Sequence, residues 1–340
     1  MLSKKTYAFF LVLSFCLFTF VKGQDIHFSQ YNGSVLNLSP AFTGFFDGDY
    51  RINAIYRSQW QNVPVPYKTF SIAGDARFKP KTMRSDCIGA GILFNNDVAG
   101  DAAYTLNQVY LSGSFIHKVS KDSSLLISAG LTMGISSVGF NYNKMTFDNQ
   151  YDGYTYNSSL GTGENFTQTQ TTYLDFSIGL AAQYSFSQFT KLIYGFSYSH
   201  FANPSITYQN NSNSKLDSKS VNFLSFSTPL SKKFYIIPEL IFSNQGKYNE
   251  FVPGANLKYV LDSDKNHTIS LGIYFRTDDA LISRLGYTFK STTAGVSYDI
   301  NTSKFMAATN NRGGFEIYVT HIIKRIRPFV PKKRVCPVFM

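Results

Sequence analysis

The stretch "TYLDFSIGLAAQYSFS", residues 172–187, decides how the rest of the chain is read. Leu174, Phe176, Ile178, Leu180, Ala182, Tyr184 and Phe186 form one alternate row; Tyr173, Asp175, Ser177, Gly179, Ala181, Gln183 and Ser185 form the other. Successive side chains of a β-strand point to opposite faces, so the rows lie on two sides of one strand. The run is too long for an ordinary core strand, and its small, polar row is not what a sandwich core carries. One face meets oil and the other meets water.

The pattern recurs in "SLLISAGLTMGIS" (124–136), "HTISLGIYFR" (267–276), "TAGVSYDI" (293–300) and "FEIYVTH" (315–321). Reading every such run predicts about fourteen strands: 50–59, 67–78, 86–95, 103–118, 123–138, 172–187, 190–199, 219–229, 233–243, 249–260, 266–276, 280–289, 292–300 and 314–326. An even count is what bacterial single-chain barrels have. Alternate connections are short and hydrophilic, such as "KPKTMRSD", "PLSKK" and "LDSDKNH". The long segments, 139–171, 200–218 and 301–313, all fall on the other set. Short turns at one end and long loops at the other mark an outer-membrane barrel. The oil is then lipid and the water is the lumen, and closure spares the sheet an unpaired edge in hydrocarbon.

Composition agrees. Charged residues are 16% of the chain, against about 25% in soluble domains, while aromatics reach 16% and mean hydropathy is only −0.12. These values fit a protein that touches lipid through alternate residues and exclude a bundle of membrane helices. Lys4 and Lys5 precede "YAFFLVLSFCLFTFV" and "VKGQ", which reads as a secretory signal over 1–23 cleaved before Gln24. Its removal takes the net charge from +11 to about +8. The basic run "KRIRPFVPKKR" (324–334) falls mostly in a periplasmic tail over 327–340. In an exported chain it suits anionic lipid headgroups or a periplasmic partner better than nucleic acid. Cys87 and Cys336 remain after cleavage, open to one bond or to two separate thiols.

Ahead of the barrel (50–326), residues 24–49 show no sustained alternation. Phe28, Tyr31, Leu36, Leu38, Phe42 and Phe45 are too apolar for a solvated leader, so the segment is expected to start in the periplasm and tuck into the barrel as a plug.

Catalytic groupings are sparse. The histidines, His27, His117, His200, His267 and His321, are scattered without metal-ligand spacing. Asp278 and Asp279 read as a solvated turn or a weak cation site. "GTGENF" (161–166) lacks the helix and Lys of a phosphate loop. No catalytic residue, metal or cofactor is assigned, and the protein is expected not to be an enzyme.

The leader "QDIHFSQYNGSVLNLSPAFTG", with Gln30, Tyr31, Pro40, Ala41, Phe42 and Gly44, leads into "RINAIYRSQWQNV", with Arg57 and Trp60. In order come "GILFNNDVAG", "NKMTFDNQ", "LDFSIGL", "DDALI", "AGVSYDI", "GGFEI" and "CPVF". This series resembles the PorP/SprF family of type IX secretion and gliding-motility outer-membrane proteins. The resemblance implies a monomeric, non-enzymatic barrel working with type IX components, in some members gripping the C-terminal sorting domain of a large secreted adhesin. The long loops suit that role, and Tyr151, Tyr154, Tyr156, Phe166 and Phe201 are their candidate anchors. The alternatives are a transporter of hydrophobic small molecules, built like the fatty-acid transporters, and a diffusion porin. The porin would use Lys258, Arg276, Arg284 and Glu316 as lumen charges.

Overall fold

A computed structural model describes residues 25–325, except 61–64, 84–85, 121, 123, 165, 209–213, 304–308 and 310. The signal sequence, Gln24, the basic tail and Cys336 lie outside the described residues.

Fourteen antiparallel strands form one closed ring. They are β1 (Tyr50–Gln59), β2 (Tyr67–Phe78), β3 (Cys87–Ala99), β4 (Tyr104–Lys118), β5 (Leu125–Gly139), β6 (Gln170–Ser185), β7 (Lys191–Ser199), β8 (Lys219–Pro229), β9 (Phe234–Gln245), β10 (Tyr248–Asp262), β11 (His267–Arg276), β12 (Ala280–Phe289), β13 (Thr292–Asn301) and β14 (Arg312–Ile323). Each strand pairs with its sequence neighbours, and β1 closes on β14 from Tyr50 opposite Ile323 to Gln59 opposite Gly314. Every amide row thus has a partner strand, the condition for crossing hydrocarbon without an open edge.

Alternation sets the two faces, and burial runs opposite to hydrophobicity. Along β12 the side chains of Leu281 and Leu285 point outward, 39% and 50% exposed, while Arg284 points inward and is 6% exposed. In β6, Leu174 and Leu180 lie on the exterior and Asp175 is fully enclosed. The exterior apolar rows form the lipid-facing band. The interior is not simply wet. A buried apolar cluster of Tyr31, Leu38, Phe42, Val221, Phe223, Ile241, Val252 and Ile282 lies between the leader and the wall.

Candidate functional site

The leader folds as three short helical turns, Tyr31–Gly33, Val35–Leu38 and Pro40–Phe42, with Pro40 opening the last where its missing N–H costs nothing. None is long enough to hold itself together, so the wall must do so. Its path runs through the barrel from end to end. Asp25 donates its N–H to Gln245 (3.0 Å), and its carboxylate lies beside His200 (3.4 Å) and Lys219 (3.5 Å), all at the long-loop end. Asp49 donates to Ile323 O (2.9 Å) at the short-turn end. The sequence reading started the leader at the short-turn end; its first described residues instead stand at the opposite mouth. Alternation assigns sides to strands but carries no information about a segment that does not alternate.

Three polar clusters hold the leader. Near the long loops, both carboxylate oxygens of Glu316 accept backbone N–H groups, from Ser29 (2.7 Å) and Gln30 (2.8 Å), and Arg57 pairs with the same carboxylate at 2.6 Å. Ser29 Oγ donates to Asp299 (2.7 Å) and accepts from Arg276 (2.7 Å) and Arg57 (3.1 Å). Deeper, Tyr31 donates to Glu239 (2.5 Å), which also accepts from Tyr274, while the Arg284 guanidinium stacks on both rings at 4.3 and 3.5 Å. At the short-turn end Asp75 accepts from Gly44 N (2.7 Å) and from Arg51 (2.7 Å), and Arg51 also donates to Phe42 O (2.8 Å). Gly44 has φ +66°, and a Cβ there would lie 2.8 Å from Gly89 Cα. Both the left-handed backbone and the close approach require glycine.

Between these clusters the small inner row serves as a seat. A Cβ on Gly130 would lie 2.4 Å from Pro40 C, one on Gly179 2.3 Å from Ser39 Oγ, and one on Gly195 2.6 Å from the Phe42 ring. Ser128, Ser114 and Ser197 donate to the carbonyls of Ala41, Thr43 and Leu38 at 2.7, 2.5 and 2.9 Å. The smallness read as a wet surface is the imprint of a second piece of chain. Several of the stretches that carry the family resemblance meet here. Gln30 and Tyr31 come from the leader, Arg57 from the first strand, Asn95 from "GILFNNDVAG", Asp175 from "LDFSIGL", Asp299 from "AGVSYDI" and Glu316 from "GGFEI". Pro40, Ala41 and Phe42 are buried in the seat, whereas Trp60 stands at the long-loop rim, donating to Gly313 O (2.8 Å) and packing on Tyr67. Arg276, Arg284 and Glu316 do line the lumen, and Lys258 lies over the Tyr235 ring at 5.7 Å.

His200 sits between Asp175 (Nδ1, 2.8 Å) and Asp25 (Nε2, 3.4 Å). Burial alone depresses its pKa, but the two carboxylates outweigh it and hold the ring protonated to about 9. Burial pushes the Asp25 carboxyl up, while Lys219 and His200 more than offset this and keep it well below its ordinary range. Both ring nitrogens face carboxylates, so this imidazolium is a clasp and not a base poised on a hydroxyl. Asp279 pairs with Arg276 at 2.9 Å, and Asp278 takes the left-handed backbone of a tight turn (φ 58°). Among the described residues no group of three or more His, Cys, Asp or Glu is placed to hold a metal ion.

The long loops are organised by their own aromatic core. Phe166 packs edge-on against Phe140 (5.1 Å) and Tyr142 (5.9 Å), and Tyr208 joins Phe140 from the next long loop (5.0 Å). Thr167 N and Gln168 Nε2 donate to Tyr208 O (3.1 Å) and Thr207 O (2.6 Å), tying loop 140–169 to loop 200–218. Phe166 therefore fastens two loops together. Phe201 packs on Phe176 (5.8 Å), which belongs to the outward-facing row, and so continues the exterior aromatic rim. Tyr151, Tyr154 and Tyr156 stay exposed at the tip. Tyr154 is 91% exposed, on a turn closed by a bridge between Tyr151 and Tyr156 and by Asp152, which accepts from Tyr154 N and Thr155 N.

A family profile described as type IX secretion system membrane protein PorP/SprF matches residues 20–321. No curated protein matches the chain. Among solved structures, the Ralstonia pickettii toluene transporter TbuX is similar over 85% of this chain and 93% of its own, at 11% identity and a TM-score of 0.49. A Pseudomonas aeruginosa FadL homologue is similar over 83% and 92%, at 10% identity and a TM-score of 0.49. At these values neither says what this chain binds or carries.

Proposed function

Because this chain belongs to the PorP/SprF family of type IX secretion system membrane proteins, we propose that it is a non-enzymatic outer-membrane partner of type IX secretion that holds a secreted adhesin, through its C-terminal sorting domain, at the cell surface. The observation that carries this reading is the loop platform. Loops 140–169 and 200–218 share one aromatic core and present Tyr151, Tyr154 and Tyr156 outward on a hydrogen-bonded tip. Tyrosines on a rigid turn bring large contact area at low entropic cost, as binding loops do. Passage of a solute needs an open lumen, whereas here the leader fills it, and the space left beside Tyr31, Leu38 and Arg276 amounts to about 60 Å³, room for a few waters. That weighs against the porin reading.

The test is affinity purification from gently solubilised outer membranes. The full protein should co-purify with a large adhesin or type IX components. Replacing residues 151–156 by a Gly-Ser linker should abolish this while the barrel keeps its heat-modifiable gel mobility. Recovery of the barrel alone from wild-type membranes would overturn the reading.

A further inference from the structure

The exterior of β3–β6 changes character at one level. Phe94, Val109, Ile135 and Leu174 stand side by side in register, closing the apolar band. At the next outward-facing position toward the long loops the same strands carry Asn96, Asn107, Ser137 and Thr172, followed by Val98, Thr105, Gly139 and Gln170. The wall thus continues past the lipid-facing band as a polar ledge. Over it hang Phe140–Asn143, and ledge and overhang enclose an open cleft of about 550 Å³.

The lining of this cleft has a definite chemistry. Asn107, Asn141, Asn143 and Gln170 bring side-chain amides, Thr105, Ser137 and Thr169 bring hydroxyls, Tyr142 brings a ring, and no charged side chain lines it. Asn107 Oδ1 is taken by Asn96 (2.8 Å) and Gln170 Nε2 by Ser137 (2.6 Å), which fixes both amides on the wall and leaves the other end of each to a ligand. Fixed amides that both donate and accept, beside an aromatic face, match sugar hydroxyls and the C–H face of a pyranose. The opposite rim differs: its turns and strand ends carry Lys79, Lys81, Lys118, Lys232, Lys233, Lys265 and Lys290, which suit phosphate headgroups.

We propose that this cleft is a binding site for the neutral sugars of an outer-leaflet glycolipid, whose acyl chains lie on the apolar row directly below. The ligand is placed by continuity: a lipid standing against Val109, Ile135 and Leu174 has its headgroup at the level of Asn107 and Gln170. Such a lipid would brace loop 140–169 from outside the barrel.

The experiment is native mass spectrometry of the detergent-solubilised protein titrated with purified rough-type lipooligosaccharide and, separately, with phosphatidylglycerol, which has a phosphate and acyl chains but no sugar. Lipooligosaccharide should bind at least about tenfold more tightly than phosphatidylglycerol, and Asn107→Ala/Gln170→Ala should remove about tenfold, the effect of one or two net hydrogen bonds. Tyr142→Ala, in the loop and outside the strand ladder, should act in the same direction should the double variant not assemble. Equal binding of lipooligosaccharide and phosphatidylglycerol would place recognition in the phosphates and acyl chains and overturn the proposal. Undiminished lipooligosaccharide binding by a folded variant would do the same.

Discussion

Glu316 is fully enclosed, yet two separate parts of the chain satisfy it: the leader through the Ser29 and Gln30 amides, and β1 through the Arg57 guanidinium. Taking such ions from water costs several kcal/mol each, and their pairing offsets that only while every partner is present. Arg57→Ala should therefore destabilise the barrel by about 3–5 kcal/mol, read from urea unfolding in lipid vesicles. The double variant Arg57→Met/Glu316→Leu should lose less than the two single changes summed. His200 gives a pH dependence of definite sign. Its pKa is raised from 6.5 to about 9, so its contribution is complete below 6.5 and disappears as pH climbs through 9. The Asp25 contribution, from a depressed pKa, is present above its ordinary 3.8 and lost on acidification. The melting temperature should fall between pH 6.5 and 9.5, and His200→Asn should flatten that fall. Arg57, Arg276, Arg284 and Glu316 were legible in the sequence as family marks or lumen charges. Their pairing with Ser29, Asp299 and Glu239 was not, because these groups are separated by up to 287 residues and only closure of the ring brings them together.

The strands were legible because period-two alternation is a local signal; all fourteen occur, with ends moved by a few residues, as where β3 runs on to Ala99 and β14 stops at Ile323. The small inner row was legible too, but its cause was not. Gly130, Gly179 and Gly195 take the shape of Pro40, Ser39 and Phe42, which a pattern along one strand cannot reveal. Gly130→Val should accordingly unseat the leader while sparing the strand ladder: the leader becomes cleavable by added protease in detergent, and the barrel retains its folded gel mobility. The loop aromatics divide for a similar reason. Phe166 and Phe201 have nearby rings to pack on, whereas Tyr154 has solvent, and single-sequence composition does not separate these cases.

For the barrel as one object, the seated leader separates a sealed cylinder from a pore. Deleting residues 25–44 should produce steady ion conductance in planar bilayers where the full protein gives none, provided the shortened chain still migrates as a folded barrel. Conductance of the full protein at the same level would mean that the leader does not seal the lumen. A wall of fourteen strands returns the chain to the face from which it set out, so β1 begins and β14 ends beside each other, where Asp49 and Arg325 meet. The leader adds one further traverse along the axis. Between Asp25 and Arg325 the chain traverses the barrel an odd number of times, so these two residues stand at opposite mouths. A reporter fused ahead of Asp25 and another fused after Arg325 would be separated by the membrane, although the strand count by itself puts them together.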